Sequence, residues 1–292
     1  MAKTRELRRR IKSVENTRQI TRTMEMVSTS KLKRAQDRVI AARPYARALS
    51  ELIAELYAPD LAERFTLLRR PAGTPKRVAI IAITSNRGLC GAFNANLIRE
   101  TRRRLKAYEE GGTETELHLI GRKGIGYFRF MGRDIASQRQ DIGDRPTAAH
   151  AAEVMEPLIR RFEAGELDGV EVVFAKFVSP LSTPPTVLPV LPIVPPTGQG
   201  ETPERRPFYL LRPSPEEIVG AMLPLYVRNQ MYRALVETAA SEQGARRTAM
   251  KNATDSAGDM IDSLRRTFNR ARQAQITQEI AEIVGGAEAL QG

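Results

Sequence analysis

Two long stretches at opposite ends of the chain carry apolar or small residues in alternating steps of three and four. In the N-terminal stretch these positions are Leu32, Ala35, Val39, Ala42, Ala46, Leu49, Ile53 and Leu56. In the C-terminal stretch they are Met250, Ala253, Ala257, Ile261, Leu264, Phe268 and Ala271. Such steps place side chains in one line along a helix, and two helices pack lengthwise through such lines. The pattern therefore predicts two long helices.

The positions of these stretches predict how the helices pair. They lie at opposite termini and enclose a middle region, so we expect an antiparallel coiled coil with an inserted domain. The stretch from Glu216 to Leu290 has no proline after Pro224, and a helix of that length would extend roughly 110 Å. A globular core cannot bury it all, so part of it needs other proteins. The alternative is two ordinary amphipathic helices on one globular core.

Pro44 interrupts the N-terminal pattern, which otherwise extends over residues 3–57. Proline removes one backbone hydrogen bond and bends a helix. Because the apolar line resumes in phase after Pro44, the pattern predicts a kink. The alternative is that the helix ends at Arg43.

The middle of the chain alternates between strand patterns and helix patterns. Residues 77–84 form a continuous apolar run, which is typical of a central strand in a parallel sheet. Further strands are expected over 116–120 and 170–178, with an edge strand over 187–194 and a closing strand over 208–211. Helices are expected over 94–108 and 147–164, and a short helix or loop over 123–131. This order predicts a three-layer, Rossmann-like α/β domain with a mainly parallel sheet.

The fold class is therefore α/β, with the coiled coil formed by the terminal helices. The predicted domains are an N-terminal coiled-coil helix over 1–58, a linker over 59–75, a globular α/β domain over 76–211 and a C-terminal coiled-coil helix over 212–292. The linker is placed by its prolines and by Gly73.

The charge of the chain predicts an acidic partner. The net charge is +12, and residues 1–38 contain twelve Lys or Arg against four Asp or Glu. Nucleic acid and an acidic protein surface are both candidates. Tryptophan is absent, which weakens the case for a single-strand binder because such proteins use aromatic platforms. The chain has no apolar run of membrane-spanning length, and the single Cys90 fits a reducing compartment.

No set of residues in the sequence could carry catalysis. Residues 85–91 follow a strand and open a helix, but they match neither the dinucleotide nor the phosphate-loop spacing, so their glycines indicate a tight turn. His118 and His150 are the two histidines, and neither belongs to a metal motif. We therefore expect no catalytic residue, cofactor or metal. A Rossmann-like reductase, the second alternative, would need the missing fingerprint.

The C-terminal end is polar over residues 269–279 and apolar over 280–284. Such a tip suits insertion into a sleeve formed by other proteins, although a solvated helix face is an equal alternative.

Four segments resemble the gamma subunits of F-type ATP synthases: residues 5–31, 87–91, 240–255 and 276–287. The likeness is close in both terminal helices and loose in the middle. No long insertion with paired cysteines lies between Pro195 and Arg206, which resembles the bacterial form. Two departures are Ser28-Thr29-Ser30, where small alanines are commoner, and Asn86, which replaces the usual acid.

The resemblance implies a rotor shaft that couples ion flow through a membrane-embedded c-ring to sequential conformational change at catalytic sites on beta subunits. The implied partners are three alpha and three beta subunits per copy, an epsilon subunit and the c-ring. The implied location is peripheral, on the cytoplasmic side of the bacterial plasma membrane. The residues implied to contact beta are Met24, Arg272, Gln273, Thr277 and Glu279. The alternative function is a basic coiled-coil protein that binds nucleic acid.

Overall fold

The computed structural model describes residues 2–56, 64–69, 73–194 and 214–291. The helices are α1 (Ala2–Leu56), α2 (Phe93–Glu110), α3 (Arg122–Phe130), α4 (Ala148–Glu163) and α5 (Pro215–Gln291), and Thr66–Leu68 forms a 3₁₀ turn. The strands are β1 (Arg77–Ile83), β2 (Glu114–Ile120), β3 (Ser137–Arg139), β4 (Gly169–Ala175) and β5 (Pro185–Leu191). None of these helices combines the length and apolar character needed to cross a membrane.

The two long terminal helices are confirmed. Helix α1 has 55 residues and continues through Pro44, so the alternative end at Arg43 is wrong. Helix α5 has 77 residues and continues through Pro224. It also includes Gly285 and Gly286, which lower helix propensity but do not end it here.

The sheet has the strand order β3-β2-β1-β4-β5. Strand β1 pairs in parallel with β2 and β4, β2 pairs in parallel with β3, and β5 is antiparallel to β4. The proline-rich β5 is an edge strand, as predicted, because proline cannot donate a backbone hydrogen bond to a second neighbour. Strand β4 ends at Ala175, three residues before the predicted end. The predicted closing strand over 208–211 lies outside the described residues.

The pattern of the sequence did not reveal β3. Its three residues are Ser137, Gln138 and Arg139, which are polar and too few to show an alternation. It is a strand because its backbone pairs with residues 118–120 of β2.

Alternate residues of β1 face two separate apolar clusters, which explains its continuous apolar run. Ala79, Ile81 and Ile83 belong to a cluster with side chains of α4 and α5, including Met155, Phe162, Leu223 and Met231. Val78, Ile80 and Ala82 belong to a cluster with side chains of α2 and α3, including Leu97, Leu105, Ile125 and Phe128. Helices therefore cover both faces of the sheet, and the predicted three-layer α/β arrangement is confirmed.

The chain divides into two compact units, one of residues 1–28 with 247–292 and one of residues 29–246. In the first unit the helices run antiparallel, because the partners of successive α1 residues move backwards along α5. These contacts are Arg8 over the Phe268 ring, Glu15 with Arg265, and Thr21 with Thr254. Met250, Ala257 and Ile261 are the buried residues of the predicted line there.

In the second unit α1 and α5 also pack on each other. Leu32, Ala35 and Val39 form a buried cluster with Val236 and Ala240. Ala46, Leu49 and Ile53 are buried as well, so the predicted line of α1 is the buried line. The predicted domain boundaries stay a prediction, since those at 58 and 211 fall on residues outside the described ranges.

Candidate functional site

The polar residues predicted near the end of α5 are exposed. Arg272, Gln273, Thr277 and Glu279 all lie on the surface of the helix. Two hydrogen bonds of these residues stay within the helix: the Thr277 hydroxyl donates to the Gln273 carbonyl at 3.0 Å, and Gln275 donates to Glu279 at 2.8 Å. The structure therefore leaves their polar groups accessible to another molecule.

Apolar side chains interleave with these polar residues. Ile276, Ile280 and Ile283 are 46%, 56% and 72% exposed, and Val284 is 52% exposed. Their spacing of four and three residues puts them on one side of the helix. Exposed apolar side chains that form one continuous patch are typical of protein-interaction surfaces.

Met24 belongs to a different part of the same compact unit. It is half-buried and lines a surface groove of about 490 Å³ with Asn16, Gln19, Ile20 and Thr23. The neighbouring Thr21 contacts Thr254 of α5, and residues 272–279 lie roughly 30 Å further along that helix at 1.5 Å per residue. The structure therefore places Met24 and the polar tip residues in two separate regions of this unit.

The loop over residues 85–91 is organised by its own hydrogen bonds, as expected for a tight turn. The Ser85 hydroxyl donates to the Arg87 carbonyl at 2.6 Å, and the Ser85 backbone N–H donates to Asn94 at 3.0 Å. Leu89 and Gly91 have φ of 61° and 59°, the left-handed conformation that closes the turn. Cys90 is buried, and burial raises the pKa of its thiol, so the thiolate needed of a nucleophile is disfavoured.

Asn86, which stands where the resembling sequences usually have an acid, makes three side-chain hydrogen bonds. Its side-chain N–H₂ donates to the carbonyls of Gln140 and Ile142 at 2.9 and 3.1 Å, and its side-chain oxygen accepts from the Arg122 backbone N–H at 2.9 Å. An ionised aspartate could accept but could not donate. Asn86 therefore joins three segments that an acid could not join in this way.

A cavity of about 190 Å³ lies at the carboxyl ends of β1 and β2, and the polar residues in its wall include Thr84, Asn86, Asp144 and Glu242. This edge of an open α/β sheet is where ligands commonly bind. Here both carboxylates are engaged, Asp144 by Lys31 and Glu242 by Arg246. Within the described residues no group of three or more His, Cys, Asp or Glu side chains could hold a metal ion.

Both histidines have structural contacts. His150 and Thr147 cap the start of α4, each side chain accepting from the other's backbone N–H at 3.3 Å. His118 is 8% exposed, and its Nδ1 lies 2.7 Å from the Ser137 hydroxyl. Burial lowers the pKa of His118, although the nearby Glu116 acts in the opposite direction.

The lowered pKa of His118 predicts a pH dependence of stability. The unfolded chain, with an ordinary histidine pKa near 6.5, takes up the proton at a higher pH than the folded chain. The contribution of His118 is therefore complete above about pH 6.5 and is lost as pH falls below that value. Urea unfolding of the full chain at pH 7.5 and 5.5 checks this: the stability lost on acidification should be smaller in His118→Gln. An equal loss in both proteins would contradict the prediction.

Comparison with known proteins identifies the family of this chain. A family model described as ATP synthase matches residues 3–290. The ATP synthase gamma chain of Gemmatimonas aurantiaca is 60% identical over 292 residues and both chains are covered completely. That of Heliobacterium modesticaldum is 42% identical over 291 residues, with 98% of each chain covered.

Two solved structures share the fold. The rotor of the Euglena gracilis mitochondrial ATP synthase has a TM-score of 0.66 at 18% identity and covers 94% of this chain and 99% of its own. The central stalk and c-ring structure from Tetrahymena thermophila has a TM-score of 0.60 at 23% identity and covers 80% of this chain and 99% of its own. Because the family model matches residues 3–290 and the Gemmatimonas aurantiaca gamma chain matches over the whole length of both chains, this chain belongs to the ATP synthase gamma chain family.

Proposed function

We propose that this chain is the central rotor shaft of a bacterial F-type ATP synthase. It couples ion flow through the c-ring to sequential conformational change at the catalytic sites of the beta subunits, and it carries no catalytic residue itself. The observation that carries the proposal is the end of α5, where the apolar side chains Ile276, Ile280 and Ile283 are exposed on one side of the helix, as is typical of a protein-interaction surface.

The relatives support this proposal over the alternative of nucleic-acid binding. The bacterial relatives are ATP synthase gamma chains, and the two similar solved structures are a central stalk with its c-ring and a rotor. The proposed partners are three alpha and three beta subunits per copy, an epsilon subunit and the c-ring. The proposed location is peripheral, on the cytoplasmic side of the bacterial plasma membrane.

The domains follow from the same proposal. Residues 1–58 and 212–292 form the shaft, residues 76–211 form the globular part, and residues 59–75 connect them. The excess of basic residues in 1–38 suits acidic segments of the surrounding subunits.

Co-purification tests the proposed function. The chain, expressed with the alpha and beta subunits of the same organism, should emerge as a complex with one copy per three of each. A bead attached to this chain should rotate when the complex hydrolyses ATP. A chain that stays free of alpha and beta, and instead binds DNA with a steep dependence on salt, would contradict the proposal.

The polar tip residues are proposed to contact beta, together with Met24. The double variant Arg272→Ala with Gln273→Ala removes an exposed guanidinium and an exposed amide. Since charge-assisted hydrogen bonds are about twice as strong as neutral ones, we expect ATP hydrolysis by the assembled complex to slow by about tenfold, or assembly to fail. Steady-state hydrolysis and subunit stoichiometry measure both results.

Arg266→Ala is the matched control, because Arg266 is also exposed on α5 but lies outside the proposed contact. Its rate and assembly should match those of the unmodified complex. If the rate of ATP hydrolysis and the assembly of the Arg272→Ala, Gln273→Ala variant also equal those of the unmodified complex, the proposed contact with beta is wrong.

A further inference from the structure

Both long helices bind one residue of the loop after β3. Lys31 of α1 donates to Asp144 Oδ2 at 2.5 Å, and Gln243 of α5 donates to Asp144 Oδ1 at 3.0 Å. A second α1 side chain, that of Arg38, donates to the Asp144 carbonyl at 2.9 Å. All four residues lie in the compact unit 29–246.

The charge of Asp144 is maintained by its surroundings. Partial burial by itself would raise the pKa of this carboxyl, but the hydrogen bond from Lys31 and the charges of Lys31, Arg246 and Arg87 outweigh it, so the pKa lies below its usual range. Asp144 is therefore ionised at neutral pH. Its contacts with Lys31 and Gln243 are charge-assisted, which makes them stronger than ordinary side-chain hydrogen bonds.

A neighbouring contact attaches a second loop to α5. Arg246 donates to the Gly88 carbonyl at 3.3 Å and to the Arg87 carbonyl at 3.4 Å, and it pairs with Glu242 at 2.6 Å. Arg246 lies one helical turn after Gln243, on the same side of the helix. The carboxyl-end loops of the sheet are thus held by polar groups that α5 presents on one side.

The contact between α1 and α5 beside these hydrogen bonds is made by apolar side chains. Leu32, Ala35 and Val39 face Val236 and Ala240. Apolar contacts are non-directional, so by themselves they resist separation more than sliding or rolling. Hydrogen bonds have preferred lengths and angles, and two such bonds from different helices to one carboxylate oppose sliding of either helix past the loop.

We propose that Asp144 is a positioning residue. By binding both α1 and α5, it makes these helices and the loop after β3 turn together when torque is applied. The proposal rests on the proposed rotor function. Torque applied to the α/β domain reaches α1 through Lys31 and Arg38, and α5 through Gln243. Without the carboxylate, the helices can slip relative to the loop under load, and part of each rotational step is lost.

The test uses the complete membrane complex and compares ATP-driven proton pumping with ATP hydrolysis. In Asp144→Asn and in Lys31→Met, the protons pumped per ATP hydrolysed should fall by about threefold, because each change removes the same charge-assisted bond. The double variant should fall no further than Asp144→Asn alone, because Asp144→Asn already removes the charge-assisted bond that Lys31→Met removes. Lys31→Arg, which keeps a cationic donor, should retain most of the pumping.

Asp134→Ala is the control, since Asp134 is an exposed carboxylate of the same domain; its pumping per ATP should equal that of the unmodified complex. A loss of stability alone would lower the amount of complex but not this ratio. An unchanged ratio in assembled Asp144→Asn and Lys31→Met, or additive losses in the double variant, overturns the proposal. Failure of the unmodified chain to assemble with alpha and beta would instead overturn the rotor function.

Discussion

Replacing Gly121 by alanine is expected to lower the free energy of unfolding of the full chain by about 4 kcal/mol or more, enough to unfold many domains. Gly121 has φ of +99°, which L-residues rarely adopt. A Cβ at this position would lie 2.0 Å from the Thr84 carbonyl oxygen and 2.6 Å from its carbonyl carbon. The clash is with backbone, so no rotation of a side chain can relieve it.

The surroundings of Gly121 cannot move away easily. The Gly121 N–H donates to the Arg139 carbonyl at 2.8 Å. The Thr84 hydroxyl donates to the Ile120 carbonyl at 3.0 Å and accepts from the Gly124 N–H at 2.9 Å. These bonds join the ends of β1, β2 and β3 to the start of α3, and the alanine would have to break several of them at once.

Gly126→Ala is the matched control, at a position inside α3, the helix that begins directly after Gly121. No atom lies within 4 Å of a Cβ built at Gly126, and alanine is the better helix former, so its stability should rise by roughly 0.5–1 kcal/mol. Urea unfolding followed by circular dichroism compares the two variants with the unmodified chain. Similar midpoints for Gly121→Ala and Gly126→Ala would show that the close packing at Gly121 is not important for folding.

The double variant Leu49→Asp with Ile53→Asp is expected to have the second-largest effect. Leu49 and Ile53 are 6% and 5% exposed on the buried line of α1. Two carboxylates placed there have no partner provided for them, and an uncompensated buried charge costs several kcal/mol. In the proposed rotor, α1 should separate locally from its packing, so that ATP hydrolysis continues with little proton pumping, or the complex should fail to assemble.

The control adds the same charges to the exposed side of α1. Tyr45 is 56% exposed and Ala48 is also exposed, so Tyr45→Asp with Ala48→Asp introduces two carboxylates without burying them. The melting temperature of the full chain and the pumping per ATP of the complex should stay near those of the unmodified protein. If the buried and exposed pairs behave alike, the apolar line of α1 does not hold the shaft together.

Helix boundaries were predicted well where a long periodic pattern existed. The predicted range 3–57 became α1 over Ala2–Leu56, and the predicted start at Glu216 became Pro215. Both agree within one residue because every turn of a long helix must place an apolar residue on the same buried side. The continuous run in β1 was equally informative, since a strand covered on both faces needs an apolar residue at every position.

The candidate site was predicted less completely. The tip residues of α5 were named from a resemblance, and the structure adds that they are exposed and distant from Met24. Asn86 and Asp144 were not predicted as connecting residues. Asn86 was noted only as a departure from a pattern, and its three hydrogen bonds reach residues 36 to 56 positions away. A periodic pattern carries no signal for such contacts, because each depends on one polar atom meeting another.

The sequence by itself determined the two long helices, the apolar lines along which they pack and the alternation of strands and helices in the middle. These follow from local periodicity, which requires only that one face of each element be buried. The tertiary structure alone decided that β3 is a strand, that His118 is buried beside Ser137, and that Lys31 and Gln243 meet at Asp144. The physical reason is that hydrogen bonds and ion pairs act over a few ångströms, and only the folded chain brings residues 19 to 113 positions apart within that distance.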